Sequence, residues 1–283
     1  MRFASFLRLA ILLLLLIIVC LRPAKGGEKI VAANPDPKSE DTARRDLVVL
    51  EAAINFYHAE FILSAVPAVM KPPKPETSGD WLTRGQVAAA LWAAWRGSRA
   101  NGNGAVKGAK VKAARHFARL ILLMIYTGTR PGAVLKLQWA PNTSGGWIDV
   151  ENGRLYRKPS KQVETKKRQP SSAIHRRLLP HLRRWREQDM AKGIAHVVNY
   201  YGRPVKKLKV GWKTLRVRSC LPDWAIPYTL RHTAATWQMQ AGTDLFQAAG
   251  LLGMSVEMLR KVYGHHHPDF QAEAAQAMPR RAL

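Results

Sequence analysis

Two cysteines in 283 residues, Cys20 and Cys220, are too few for a disulfide framework, so a reducing compartment is expected. Acidic residues are also scarce. The 19 Asp and Glu stand against 45 Lys and Arg, a formal net charge of +26, which calls for a polyanionic partner. The sequence has no Walker-type GxxxxGK[ST] loop and no tight set of carboxylates. These absences argue against nucleotide-driven chemistry and against a two-metal nuclease, and no cofactor or metal is expected. No internal repeat is visible.

The length and apolar content suffice for one or two globular domains with a real core. Nucleic acid is the first candidate partner for the charge, an anionic membrane surface the second, and a merely well-solvated basic surface the third.

Residues 9–21, LAILLLLLIIVCL, form an uncharged run with Arg2 and Arg8 on one flank and Arg22, Lys25 and Lys29 on the other. The run is shorter than the roughly 20 residues of a comfortable membrane span. It reads as a signal or anchor-like segment over 1–26, or as a scar of a mis-set start; membrane association through it is the alternative to a cytoplasmic, DNA-associated protein. A linker over 27–41 follows. Apolar residues at helical spacing over 42–66, notably Leu47, Leu50, Ala53, Ile54 and Tyr57, predict one amphipathic helix. The stretch MKPPKPETSG within 67–80 cannot continue a helix and reads as a second linker, so that a new domain, 81–283, begins near Trp81.

Within that domain Thr83 and Gln86 have the spacing of a capping box, which predicts a helix start, and the Gly-rich segment 97–108 ends that helix. A strongly apolar helix over Ala114 to Tyr126 is stopped by Gly128, and a short helix opens at Pro131. From Trp147 to Ile174 the pattern changes to short strands in hairpins. Helices are expected at about 176–191, 229–241, 244–252 and 255–263, with a last one after Pro268. The fold class is therefore mostly α with a small antiparallel β-sheet, α+β.

Three segments carry the candidate chemistry. TGTRPGAVLKLQW, from Thr127, sets Arg130 at a turn opening a helix, where backbone amides favour an anion. PYTLRHTAATW, from Pro227, sets Tyr228 and Arg231 three apart and hence on one helix face. LLGMSVEMLRKVYGHHH, from Leu251, leaves Tyr263 near a helix end, with Gly264 stopping the helix behind it. Planar guanidinium forks neutralise phosphate oxygens bidentately in a way that lysine does not.

These blocks, in this order, resemble the TGxR, HxxR and LGH-then-tyrosine motifs of the tyrosine recombinases, the phage-type integrases, from about Trp81 to about His267. The resemblance implies a site-specific recombinase of double-stranded DNA that works as a homo-oligomer on paired sites. It also implies that Arg130 and Arg231 grip the scissile phosphate while the Tyr263 hydroxyl attacks phosphorus to give a 3′-phosphotyrosine. A hairpin lysine of the family would be Lys166 here, or Lys167. Two positions depart from the motifs. Tyr228 replaces the first His of HxxR, and Met254 replaces the His of LGH. A phenol still donates a hydrogen bond but is a poor base, and a thioether is a feeble acceptor. The family usually carries a helical core-binding domain ahead of the catalytic one, and the single helix over 42–66 leads one to expect an amino-terminal truncation.

The alternatives are an impaired integrase remnant that only binds DNA and a type IB topoisomerase-like enzyme. His265, His266 and His267 do not converge on one helix face and are not expected to hold a metal. His232, about 100° round the helix from Arg231, reads as a packed or hydrogen-bonded structural histidine. The basic stretch from Arg154 to Arg218, with Trp185 and Trp212 among its charges, suits a wall facing DNA.

Overall fold

The structure is a computed structural model that describes residues 37–61, 66–73, 80–96, 114–160 and 169–277. Residues 1–26, the Gly-rich segment 97–108 and both hairpin lysines, Lys166 and Lys167, lie outside the described residues. Among the described residues no helix is long and apolar enough to cross a membrane. The chain divides into two units, Met1–Thr77 and Ser78–Leu283.

The first unit contains helix α1, Pro37–Phe61. Its stripe of Leu47, Leu50, Ile54 and Tyr57 is half-buried, as the spacing predicts, whereas Ala53 is exposed. Residues 66–73 return along the helix, with the Lys71 amine on the Glu51 carboxylate and the Arg44 guanidinium on the Pro72 carbonyl. Val49 and Phe56 on α1 are both 65% exposed.

The second unit is built around α3, Arg115–Thr127, which packs against α2, Arg84–Arg96, and against α7, Thr229–Gln240. The capping box forms at the start of α2: the Thr83 amide donates to Gln86 Oε1 at 2.8 Å, and the Gln86 amide donates to Thr83 Oγ1 at 3.2 Å. α3 buries Phe117, Leu120, Ile121, Leu123 and Met124. A short α4, Pro131–Leu135, follows, then a three-stranded antiparallel sheet of β1, Trp147–Asp149, β2, Arg154–Tyr156, and β3, Ser172–Ala173, in that order. Its register pairs Trp147 with Tyr156, whose rings stack at 4.2 Å.

Helix α5, Leu179–Met190, is followed by a second hairpin, β4, Asn199–Tyr200, and β5, Arg203–Pro204. Tyr201 and Gly202 between these strands both have positive φ, 50° and 80°, which matches the twist of a tight hairpin turn. Helix α6, Lys209–Arg218, comes next. Neither this hairpin nor α6 stands out in the sequence. α6 buries only Trp212 and Leu215 and otherwise reads as a run of charge. It can approach α3 because residue 211 is glycine: a Cβ there would meet the Phe117 ring at 2.7 Å. Beyond α7 lie α8, Leu245–Leu252, and α9, Val256–Tyr263, then a 3₁₀ turn, Gly264–His266, and a last helix, α10, Ala272–Gln276.

Trp185 and Trp212 belong to the core and not to a basic wall. They are 2% and 3% exposed, and the Trp212 indole N–H donates to the Ala225 carbonyl at 2.8 Å. The arginines and lysines around them, such as Arg183, Arg184 and Lys213, are exposed because a helix turns its charges outward while its aromatic residues face inward. Trp185 packs over Arg119, which reaches Asp189 through two bonds of 2.5 and 3.1 Å. Asp189, 4% exposed, also accepts from the Trp139 indole at 3.0 Å.

Asp189 thus ties α3, α5 and the strand-flanking loop through one buried carboxylate. Replacing it with Ala leaves the Arg119 charge uncompensated and is expected to lower the unfolding free energy by about 3–5 kcal/mol. Urea denaturation measures this, and a loss below about 1 kcal/mol would show that the pair is dispensable.

Candidate active site

The site is assembled where α3 ends, α7 begins and α9 ends. Gly128 closes α3 in the left-handed region at φ 60°, and a Cβ on it would meet Leu252 Cδ2 at 2.3 Å. Both facts require glycine at the second position of TGTR. Thr127 and Thr129 pair their hydroxyls at 2.7 Å, which fixes the turn. Arg130 then caps α4 with Pro131 at the first helical position. α4 has only five residues, so its helix end adds little to anion binding and the arginines themselves carry the electrostatics.

Arg231, on the first turn of α7, is 3% exposed. Its guanidinium donates to the carbonyls of Gly128, Leu252 (2.6 Å) and Gly253 (3.3 Å). One side chain therefore holds the end of α3 to the end of α8. Burial, followed by the nearby Arg130 charge, pulls its proton affinity below the usual arginine range, while the phenols of Tyr228 and Tyr263 act in the opposite sense. Tyr228 stands at the amino end of α7, 39% exposed, close enough to Arg231 to favour its charged form.

A third arginine, absent from the motif reading, completes the group. Arg157, just after β2, is 5% exposed. Its Nε donates to Thr129 Oγ1 at 2.9 Å, and its terminal nitrogens donate to the carbonyls of Pro170 (2.7 Å), Thr127 (2.8 Å) and Leu251 (2.5 Å). Burial first, then the charges of Arg231 and Arg130, lower its pKa to about 10, so it remains charged at neutral pH. An open cleft of about 870 Å³ is lined by Arg130, Lys136, Arg157 and Tyr228 and, among the described residues, by no Asp or Glu.

Tyr263, the last residue of α9, is 6% exposed, in a cluster with Ala234, Ala235, Leu252 and Leu259. Met254 is half-buried against that same cluster, a packing role that suits a thioether. Gly264 has right-handed dihedrals and leads into the 3₁₀ turn, so the helix ends without a left-handed stop. Burial, reinforced by Tyr228 and opposed by Arg231, pushes the Tyr263 phenol up to about 12.

His232 faces this phenol. Its Nδ1 lies 2.6 Å from Tyr263 Oη, and its ring stands edge-on to Tyr228 at 5.1 Å between centroids. The 100° offset from Arg231 does not carry His232 out of the site, because positions 228, 231 and 232 are i, i+3 and i+4 on one helix face. That spacing was the signal available in the sequence. Arg157 had no such signal, since its partners lie 13 to 94 residues away. Of the motif residues, Arg130, Tyr228, Arg231 and Tyr263 come together, and Met254 packs against the apolar cluster that holds Tyr263. Among the described residues no group of His, Cys, Asp and Glu is arranged to hold a metal ion.

No family model and no curated protein matches the sequence. Solved structures do. A fragment of the Tn1549 transposon integrase in complex with circular intermediate DNA superposes with a TM-score of 0.56 at 17% identity, over 84% of this chain and 80% of that one. A lambda integrase dimer bound to a COC′ core site gives a TM-score of 0.54 at 18% identity, over 81% of this chain and 60% of that one. This chain has the tyrosine-recombinase fold. The mostly helical α+β catalytic architecture expected from the sequence is that of these integrases.

Arg157 donates to three backbone carbonyls, of which that of Thr127 is buried and that of Leu251 half-buried, and leaving a buried carbonyl unmet costs about 1–3 kcal/mol. Arg157→Met should therefore lower stability by about 2–4 kcal/mol even after relief of the arginine–arginine repulsion. Thermal or urea unfolding reads this directly, and a variant as stable as the parent would show that Arg157 does not clamp the turn.

Proposed function

We propose that this chain breaks and rejoins double-stranded DNA through a 3′-phosphotyrosine intermediate. The observation that carries the reading is the electrostatic cluster of Tyr263, Arg231, Arg130 and Arg157, of which Arg130 and Arg157, together with Tyr228, line a cleft with no carboxylate among its described residues. Like charges gathered at partly dehydrated positions repel one another until an anion joins them. A phosphodiester supplies that anion and becomes more negative on its non-bridging oxygens as it is attacked.

In this reading Arg130 and Arg231 grip the scissile phosphate, Tyr228 donates a hydrogen bond to one of its oxygens, and Tyr263 Oη attacks phosphorus. Met254 packs the tyrosine in place. Lys166, or Lys167 beside it, protonates the departing 5′-oxygen. The tyrosyl ester conserves the bond energy, so that a 5′-hydroxyl reseals the strand without ATP or a metal. The integrases of like fold were crystallised with DNA, and one of them as a dimer on it. By extension this chain acts on duplex DNA as a homo-oligomer on paired sites.

A second reading, a binding protein without catalysis, is favoured by the buried Tyr263, whose phenol is held up at about 12, and by Tyr228 and Met254 in place of imidazoles.

The two readings part on a pool of random-sequence duplexes carrying a single nick. A strand-breaking enzyme forms a DNA adduct that resists detergent and is removed by protease, and Tyr263→Phe abolishes it while gel-shift binding persists. Binding without an adduct in the parent chain would leave the second reading; an undiminished adduct in Tyr263→Phe would overturn the assignment of the nucleophile.

In either case the binding constant should fall steeply with salt, because phosphate contacts release counterions. A titration from 50 to 200 mM salt with little change in affinity would contradict a phosphate-gripping surface.

A further inference from the structure

We infer that His232 is the base that takes the proton of Tyr263 during strand cleavage, doing from the fourth position after Tyr228 what an imidazole at position 228 would otherwise do. The inference rests on the strand-breaking reading above and names the proton path at that same site.

The geometry is direct. His232 Nδ1 lies 2.6 Å from Tyr263 Oη, within hydrogen-bond reach of the proton to be removed. Tyr228 Oη belongs to a phenol and cannot hold an extra proton at neutral pH, and Met254 offers only sulfur. Among the described residues, His232 Nδ1 is the side-chain nitrogen within hydrogen-bond distance of Tyr263 Oη. The groups that face it are Arg231 and Tyr228 on its own helix, Tyr263 from α9 and Asp80 ahead of α2. Burial, then the Arg231 charge, lower its pKa, with Asp80 opposing them. The ring is therefore neutral at pH 7 and able to accept. The phenol itself is held up at about 12, so little phenolate exists in advance and the proton must leave as the bond forms.

The step balances. Tyr263 Oη forms a bond to phosphorus, its proton passes to His232 Nδ1, the bond from phosphorus to the 5′-oxygen breaks, and that oxygen takes a proton from the general acid, Lys166 or Lys167 in the proposed function. On rejoining, the 5′-hydroxyl attacks phosphorus and returns its proton to that lysine, the bond from phosphorus to Tyr263 Oη breaks, and that oxygen recovers the proton from His232. The neighbouring Arg231 charge disfavours a long-lived imidazolium, which speeds the return.

The test uses the full chain and nicked random-sequence duplexes, with the initial rate of adduct formation followed from pH 5 to 8. The parent rate falls on the acid side as His232 is protonated, at a pH below the ordinary imidazole value. His232→Ala and His232→Asn should form the adduct about 100-fold more slowly, without that acid limb, while binding DNA as the parent does. Added imidazole should restore part of the His232→Ala rate. A duplex with sulfur in place of the bridging 5′-oxygen needs no acid, and the His232 defect should persist on it. A His232→Ala protein with the parental rate and pH profile overturns the assignment, as does rescue of its defect by the sulfur leaving group. An unfolded His232→Ala leaves the Asn variant, which keeps a hydrogen bond but not the basicity, to decide. Should the parent chain form no Tyr263 adduct at all, the strand-breaking reading fails first and this inference with it.

Discussion

The site depends on one buried guanidinium. Arg231 donates to the carbonyls of Gly128, Leu252 and Gly253, the residues at which α3 and α8 end. Those carbonyls point away from their helices and need donors. A cation at this point satisfies them and draws together the turn that carries Arg130 and the helix pair that carries Tyr263. Gly128 takes part in the same contact, since its missing Cβ is what allows Leu252 to approach. Arg157 repeats the device one layer away, through Thr127, Pro170 and Leu251. The fold is thus tied at the place where the proposed chemistry occurs.

Such a frame opposes itself. Burial, then neighbouring positive charge, holds the proton affinities of Arg157 and Arg231 down, and a phenol beside them is buried enough to resist ionisation. In the proposed reaction an incoming phosphodiester would relieve each of these tensions: its charge would offset the arginines, and bond formation to phosphorus would remove the need for a free phenolate. Energy stored in like-charge repulsion without the ligand then becomes attraction with it. The neutral His232 next to the phenol fits the same scheme, because an imidazolium there would add a further positive charge.

Local order was legible in the sequence because it depends on neighbours. The Thr83 and Gln86 capping box, the apolar face of α3 and the end of α9 at Tyr263 all follow from spacings of three or four residues. Arg130, Tyr228, Arg231 and Tyr263 were legible as motif residues, and the fold brings them together. Long-range contacts were not legible: Arg157 acquires its role from carbonyls far along the chain, and Arg119 from Asp189, 70 residues away. Helix α6 was hidden because charge outweighs its two buried residues, and Trp185 and Trp212 were misplaced because an aromatic residue among arginines suits a core as well as a surface. His232 is hydrogen-bonded, as expected, but its partner, Tyr263, lies 31 residues along the chain and was not legible.

The central claim is that Tyr263 becomes bonded to DNA phosphorus in the arginine-lined site. Peptide mass spectrometry of the protein–DNA adduct after exhaustive nuclease digestion tests this most directly. The account predicts a nucleotide mass on the tryptic peptide containing Tyr263, localised by fragmentation to that tyrosine. A nucleotide on any other residue, Tyr228 included, or a protein that binds DNA and carries no nucleotide after incubation, would contradict it.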